Sequence, residues 1–181
     1  MSKFKNTHIR RQKELRAQYP DLKMLEEVKE TSSYSFVAVS LFDHWLSELE
    51  ASQLLGNLIS DELVRRNSLF TNLNRIIIEQ TEVLNFVRRG NYRNYYNFRH
   101  FSSDEVRNIY LEHRSHGNYQ LVIPEFSLVY FEGYDDTNIF YLRDSSQRSI
   151  VEDWASEAGL YTLDQPNKMH NETVEKRKLS E

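Results

Sequence analysis

The chain has 181 residues, of which 39% are hydrophobic, 13% aromatic and 28% charged, and its formal net charge at pH 7 is −4. These values are typical of one globular domain. The absence of cysteine excludes disulfide bonds, zinc–thiolate sites and a cysteine nucleophile. Every apolar run is far shorter than the roughly 20 residues that a membrane helix needs. We therefore predict a cytoplasmic protein without a membrane span.

Basic residues are concentrated in two segments. Residues 1–13 carry five lysines or arginines and no acid, and residues 83–103 carry four arginines and no acid. Because the total is −4, the remainder of the chain carries −13. Two basic segments in an otherwise acidic protein indicate an anionic partner. Residues 1–7 are predicted to be a flexible basic arm.

The first half of the chain predicts mostly short elements. The helical patterns up to residue 28 have narrow apolar stripes. The β-prone run Phe36-Val37-Ala38-Val39 predicts a strand. Asp43 is then expected to cap a helix whose apolar side carries Trp45 and several leucines.

A long amphipathic helix is the strongest pattern in the sequence, and it is predicted over residues 61–89. Leucine, phenylalanine or isoleucine recurs every seven residues along it, at Leu63, Phe70, Ile77 and Leu84. Ser60 is the expected N-cap and Gly90 the expected left-handed C-cap. A coiled coil is the alternative, but Arg66 and Gln80 occupy two of the positions that its seam would need.

The second half predicts helices and a small sheet. Ser102 and Glu105 have the spacing of a capping box, as do Ser149 and Glu152 before a last helix that Gly159 ends. Tyr119–Ile123 predicts a strand that Pro124 interrupts, at a sheet edge or a bend. Residues 126–142 predict a β-hairpin with a five-residue turn at 133–137.

These elements together predict an α+β fold. We expect a helix-rich single domain, residues 8–163, in which a small antiparallel sheet (hairpin 126–142) packs against the long amphipathic helix (61–89). Residues 164–181 are polar and aperiodic, and they predict a disordered charged tail.

The candidate binding surface is the segment 88–100, in which arginines alternate with aromatic rings. Guanidinium groups bind phosphates and aromatic rings stack on bases, so the pattern is typical of a single-stranded nucleic-acid interface. The same rings would also suit a purely structural role in the core, with the arginines outside. The candidate residues are Arg88, Arg89, Tyr92, Arg93, Tyr95, Tyr96 and Arg99.

A metal site is a weaker alternative. His113 and His116 are three residues apart on a predicted helix and share a face, and Asp135 or Asp136 at the hairpin turn would complete the ligand set. The spacing is not that of a known zinc-protease helix. We therefore expect no metal and no other cofactor.

A catalytic pair of Asp43 and His44 is not expected, because neighbouring residues on a helix point in different directions. The sequence favours binding over catalysis, with nucleic acid or an acidic protein as the partner and the oligomeric state open. The alternatives are a protein–protein interaction module of the inhibitor, immunity or adaptor type, and a metal-dependent hydrolase. Trp45 is a candidate interface anchor, whereas Trp154 is expected in the core.

Overall fold

The computed structural model describes residues 2–29, 31–56, 58–89, 95–112, 120–133 and 135–166. The helices in these ranges are α1 (Ile9–Gln18), α2 (Leu22–Glu26), α3 (Glu48–Leu55), α4 (Ser60–Gln80), α5 (Asp104–Glu112) and α6 (Arg148–Ala158). The strands are β1 (Phe4–Asn6), β2 (Ser35–Ser40), β3 (Leu84–Arg89), β4 (Tyr95–Phe101), β5 (Gln120–Ile123), β6 (Leu128–Phe131), β7 (Thr137–Leu142) and β8 (Tyr161–Leu163).

The eight strands form one sheet in the order β1-β4-β3-β5-β6-β7-β2-β8, and each neighbouring pair is antiparallel. Because successive side chains of a strand point to opposite faces, the sheet buries two separate sets of apolar residues. We call these the α4 face and the α1 face, after the helices that cover them.

The α4 face holds the larger core. Phe70, Leu73 and Ile77 of α4 pack there with Phe140 of β7, and all four side chains are at most 1% exposed. Trp154 of α6 is also 1% exposed and donates its indole N–H to Gln80, 2.9 Å away, which confirms its predicted place in the core. The predicted amphipathic stripe is buried from Phe70 to Ile77, whereas Leu63 in the first turns of α4 is 47% exposed.

The α1 face holds a second core of aromatic and branched residues. Leu15 of α1 and Leu22 and Leu25 of α2 cover Phe86 of β3 and Phe98 of β4. The two helices have only 10 and 5 residues, so they cover only the strands on the β1 side of the sheet and do not extend over β2. The fold thus places α1 directly over the basic strands.

The predicted helix over residues 61–89 is wrong at its C-terminal end. Helix α4 ends at Gln80, and residues 84–89 form strand β3 in the interior of the sheet. The hydroxyl and the amide of Thr81 both donate to the carbonyl of Ile77, which closes the last helical turn. The seven-residue repeat continues through Leu84 into the strand, so the spacing of apolar residues did not mark this boundary.

The predicted fold class is also wrong in the size of its sheet. The hairpin at 126–142 exists as β6 and β7, but it lies within an eight-stranded sheet and is not a small sheet of its own. Of the strands that the sequence did not predict, β1 and β8 have only three residues each, too few to show an alternating pattern. Pro124 ends β5 in a bend, where it begins a 3₁₀ turn. In the described part of the chain, no helix is long and apolar enough to cross a membrane.

Candidate functional site

The candidate segment forms the ends of two adjacent strands. In the antiparallel pairing of β3 with β4, Arg88 lies opposite Tyr96, and Arg89 lies opposite Tyr95. Paired residues share a face of the sheet, so Arg88 and Tyr96 are on the α1 face and Arg89 and Tyr95 on the α4 face. The candidates Tyr92 and Arg93 lie outside the described residues.

Tyr96 belongs to the core and not to the surface. Its side chain is 8% exposed, its ring meets Phe86 edge to face at 5.7 Å, and its hydroxyl donates to the carboxylate of Glu26. Burial and the contact with Glu26 raise the pKa of the Tyr96 phenol above its usual value. Tyr96 therefore anchors α2 on the sheet and offers no ring for stacking.

Tyr95 points the other way and remains partly open. Its ring lies 4.6 Å from the guanidinium carbon of Arg16, which reaches round the edge of β4 from α1. Arg16 also donates to the carbonyl oxygen of Tyr96 at 2.9 Å and to the side chain of Asn97 at 3.1 Å. This arrangement holds a half-buried ring beside a fixed cation, which is a pairing suited to stacking and to anions.

Arg99 is used within the fold. Its Nε donates to Oδ1 of Asn85 at 3.1 Å, and its guanidinium carbon lies 4.5 Å from the ring of Phe4. Burial, with a smaller effect of Arg89, lowers the pKa of Arg99. Arg99 therefore ties β1, β3 and β4 together and is positioned by contacts within the fold.

Arg88 and Arg89 are exposed, and neither forms an ion pair with any residue that the structure describes. The pKa of Glu27 lies below its usual value, mainly because Lys29 donates a hydrogen bond to it, with a smaller contribution from Arg88. The pairing with Tyr96 puts Arg88 on the α1 face, which α2 helps to cover, while Arg89 extends from the opposite face.

The pairing of β1 with β4 joins the two basic segments. Lys5 lies opposite His100, so the basic N-terminal residues are next to the basic strand. Gln12 of α1 continues this edge: its Nε2 donates to the Phe98 carbonyl at 2.6 Å, and its Oε1 accepts from the Phe98 amide at 3.0 Å. We call the resulting surface, made by β1, α1, β3 and β4, the basic end.

Five cations of the basic end are exposed and have no carboxylate partner in the described part of the chain. They are Lys3, Lys5, Lys13, Arg88 and Arg89. Arg10 and Arg11 are instead held by Glu14 and Glu82 at 3.2 Å. The sequence showed both basic segments but not the contact between them. That contact depends on a strand pairing between residues nearly a hundred positions apart.

The structure does not assemble the candidate metal site from the residues that it describes. Asp136 is bound to Arg66 at 2.8 Å, and Asp135 is exposed in the turn. His113 and His116 lie outside the described residues. Within the described ranges, no group of three or more histidine, aspartate or glutamate side chains could hold a metal ion.

Asp43 and His44 do contact each other, contrary to the expectation from a helix. Residues 41–47 are not helical, and Ser47 and not Asp43 caps α3, in a capping box with Glu50. The imidazole lies between two carboxylates, with Nδ1 2.7 Å from Asp43 and Nε2 3.2 Å from Glu50. The hydrogen bonds with Asp43 and then Glu50 raise the pKa of His44 above its usual value.

The acids on both sides make His44 a poor general base, because both of its ring nitrogens are already engaged. Trp45, next to it, is 40% exposed and donates its indole N–H to the carbonyl of Asp164 at 2.7 Å. Hydrogen bonds therefore tie the segment before α3 to Glu50 of that helix and to Asp164 after β8.

Comparison with known proteins gives no significant match to a family model, a curated protein or a solved structure.

Proposed function

We propose that the protein binds single-stranded nucleic acid through its basic end. The observation that carries this proposal is the pairing of β1 with β4, which merges two basic segments that are far apart in the sequence. Strand β4 lies between β1 and β3, and Lys5 is paired with His100 whereas Arg88 is paired with Tyr96, four residues away along β4. With strands about 4.8 Å apart and about 3.3 Å per residue along a strand, Lys5 and Arg88 are about 16 Å apart, so an extended single strand would contact both through phosphates several nucleotides apart. A surface of this sign in a protein of net charge −4 would also steer an anionic polymer to one end of the molecule.

The five unpaired cations supply the contacts to phosphates. Because these side chains have no carboxylate partner in the described residues, no salt bridge has to be broken when they bind a phosphate. Arg88 and Arg89 extend from opposite faces of β3 and would contact the nucleic-acid backbone on both faces of the sheet. Binding of this kind weakens as the salt concentration rises.

Base stacking would come from fewer rings than the sequence predicted. Tyr96 is buried, and only Tyr95 presents a partly open ring among the candidate tyrosines that the structure describes. Arg16 on that ring and Asn97 beside it add a cation and an amide that could meet a base. One stacking platform of about 1–3 kcal/mol beside several cations favours binding with little sequence preference.

The test is equilibrium binding of a labelled uridine oligonucleotide about 20 nucleotides long, longer than most single-strand sites. Arg88→Ala/Arg89→Ala removes two phosphate contacts of about 0.7 kcal/mol each and should weaken binding about tenfold. Arg65→Ala/Arg75→Ala removes the same charge on the exposed side of α4, outside the basic end, and should leave the affinity within about twofold of the wild type.

Equal losses in the two variants would refute the proposed surface, because total charge and not position would then set the affinity. A polyglutamate competitor distinguishes the two classes of anionic partner. If it displaces the oligonucleotide as well as unlabelled RNA does, the proposal for nucleic acid is wrong and an acidic protein takes its place.

Protein–protein interaction is the second candidate, and a separate observation favours it. Six large apolar side chains between residues 45 and 64 are at least 38% exposed, and α3 has no buried residue. Monomeric proteins rarely leave so many large apolar groups in one stretch. Light scattering tests self-association first. A wild-type mass above 21.7 kDa, together with a mass of 21.7 kDa for Leu49→Glu/Val64→Glu, would support it. A wild type at 21.7 kDa at all concentrations would contradict it.

A further inference from the structure

The helices of the α1 face leave one part of the sheet uncovered. Beneath α1 and α2, Phe86 and Val129 are completely buried. On the same face of β2 and β7, Phe36 and Tyr141 are only half-buried. On the α4 face of β2 and β7, by contrast, every apolar side chain among Val37, Val39, Phe140 and Leu142 is at most 1% exposed. Aromatic rings therefore line an open site on one face alone.

These rings form the floor of a cavity of about 390 Å³. Tyr34, Phe36 and Tyr141 lie below it, and the loop that follows α2 lies at its side. The ring of Tyr141 is inclined at 78° to Tyr34 and at 77° to Phe36. A flat ligand on one ring would thus meet the edge of the next, which is the favoured aromatic geometry. The volume is near the lower end of the range for small-molecule sites.

The charged groups that the structure describes around this cavity are engaged within the fold. Lys29 is 2.5 Å from the carboxylate of Glu27, and Asp21 accepts hydrogen bonds from the hydroxyls of Thr31 and Ser33. The guanidinium of Arg143 lies 5.6 Å from the ring of Tyr34. Lys29 and Asp21 are therefore committed to contacts within the fold, and Arg143 packs on the ring of Tyr34.

The open polar groups of the cavity are neutral. The Tyr141 hydroxyl, Ser32 and Gln165 line it, and none of the three side chains makes a hydrogen bond to the residues that the structure describes. Burial raises the pKa of the Tyr141 phenol, so its hydroxyl stays protonated near neutral pH and can donate. A hydroxyl donor and a side-chain amide suit a ligand with both acceptors and donors on its edge.

Val28 at the mouth of the cavity has an unusual backbone. Its φ is +52°, and its side chain is 77% exposed. A β-branched residue rarely adopts this conformation, and such backbone strain is concentrated at ligand sites. The result is an apolar side chain held in solvent beside three aromatic rings, where a bound ring would cover it.

We propose that this cavity binds a neutral heteroaromatic ring of the nucleobase type. The ring would stack on Phe36 or Tyr141, and its polar edge would meet the Tyr141 hydroxyl, Ser32 and Gln165. This site goes beyond the proposed function, because it uses none of the cations of the basic end. The base can come from a free nucleoside or from a nucleic-acid strand, and the two sources share the same chemistry.

The indole N–H resonances of the two tryptophans test the proposal directly. The ring of Trp45 is 6.3 Å from Phe36, whereas Trp154 is buried on the α4 face. Adenosine should shift the Trp45 resonance saturably and leave Trp154 unchanged, and ribose, which lacks the base, should shift neither. A shift by the oligonucleotide but not by adenosine would identify the strand as the source of the base.

Variants locate the binding. Phe36→Leu and Tyr141→Leu should each weaken adenosine binding about tenfold through lost stacking. Phe126→Leu is the matched control, because its ring packs on Trp154 on the α4 face and should leave the affinity unchanged. The Trp154 resonance reports whether each variant is folded.

The proposal is overturned if neither adenosine nor the oligonucleotide shifts Trp45 saturably, or if folded Phe36→Leu and Tyr141→Leu bind like the wild type. Phenol that binds as tightly as adenosine would also overturn it, since the site would then take any aromatic ring. Arg88→Ala/Arg89→Ala should bind adenosine normally, so failure of the basic end and failure of this cavity give different results.

Discussion

The side chain of Gln12 connects helix α1 to the edge of the sheet, and removing it tests how the basic end is held together. Its amide meets both the N–H and the carbonyl of Phe98, as a neighbouring strand would, and its Nε2 also donates to the Thr7 hydroxyl at 2.8 Å. Gln12 is 6% exposed, so water reaches these groups poorly. Gln12→Met keeps the length of the side chain and its helix propensity but makes none of these hydrogen bonds.

The cost of Gln12→Met follows from the groups that lose their partners. The Phe98 carbonyl keeps the Thr7 amide as a donor at 3.0 Å, but the buried Phe98 N–H is left without an acceptor. An unsatisfied buried group costs about 1–3 kcal/mol, and the lost bonds from Nε2 add about 1 kcal/mol. Burial of the methionine side chain offsets part of this, so we expect the free energy of unfolding to fall by about 2 kcal/mol.

Urea unfolding followed by circular dichroism measures this loss. With a slope near 2 kcal/mol per molar urea, the midpoint should fall by about 1 M. Lys13→Met on the exposed side of α1 is the control and should change the free energy of unfolding by less than about 0.5 kcal/mol. A loss below about 0.5 kcal/mol for Gln12→Met would refute the reasoning, because it would mean that the edge of β4 does not need α1.

Two further predictions concern other parts of the fold. The Tyr130 hydroxyl donates to Oδ1 of Asn74 at 2.8 Å and accepts from Nδ2 of Asn138, so Tyr130→Phe removes this partner from both buried groups. Thermal or urea unfolding should show a loss of about 2–4 kcal/mol, against almost none for Tyr141→Phe. The pKa of His44 is raised in the folded protein, so its protonated imidazole stabilises the fold. This contribution to the free energy of unfolding is complete below about pH 6.5 and is lost as the pH rises through the pKa of the folded state. NMR titration should therefore give His44 a midpoint above 6.5, and Glu50→Gln should lower that midpoint.

Each of these predictions has a result that would contradict it. A Tyr130→Phe protein as stable as Tyr141→Phe would mean that water replaces the missing hydroxyl. A His44 midpoint at or below 6.5 would mean that the two carboxylates do not hold the imidazole in solution.

The sequence predicted the helical face of α4 but not the point at which the helix ends. Phe70 and Ile77 are buried as the seven-residue repeat required. Leu84 continues that repeat although it lies in a strand, because a buried strand and a buried helix turn both demand an apolar residue there. Only the contacts of β3 with β4 and β5 distinguish the two, and these are not local.

The candidate site was predictable in its charge and not in its orientation. Alternation in β4 sends Tyr96 and Phe98 inward and leaves Tyr95 partly open, and the sequence alone did not say which face would be covered. The answer depends on α1, whose Arg16 and Gln12 reach β4 from about 80 positions earlier in the chain. Long-range packing therefore decided which of the predicted residues remain available to a ligand.

The salt dependence of oligonucleotide binding tests the central claim most directly. Each phosphate contact on a single strand contributes about 0.7 to the slope of the logarithm of the affinity against the logarithm of the salt concentration. Arg88→Ala/Arg89→Ala should reduce the wild-type slope by about 1.4, while Arg65→Ala/Arg75→Ala should not change it. Identical slopes for the wild type and both variants would contradict the account, because the arginines of the basic end would then not contact the phosphates.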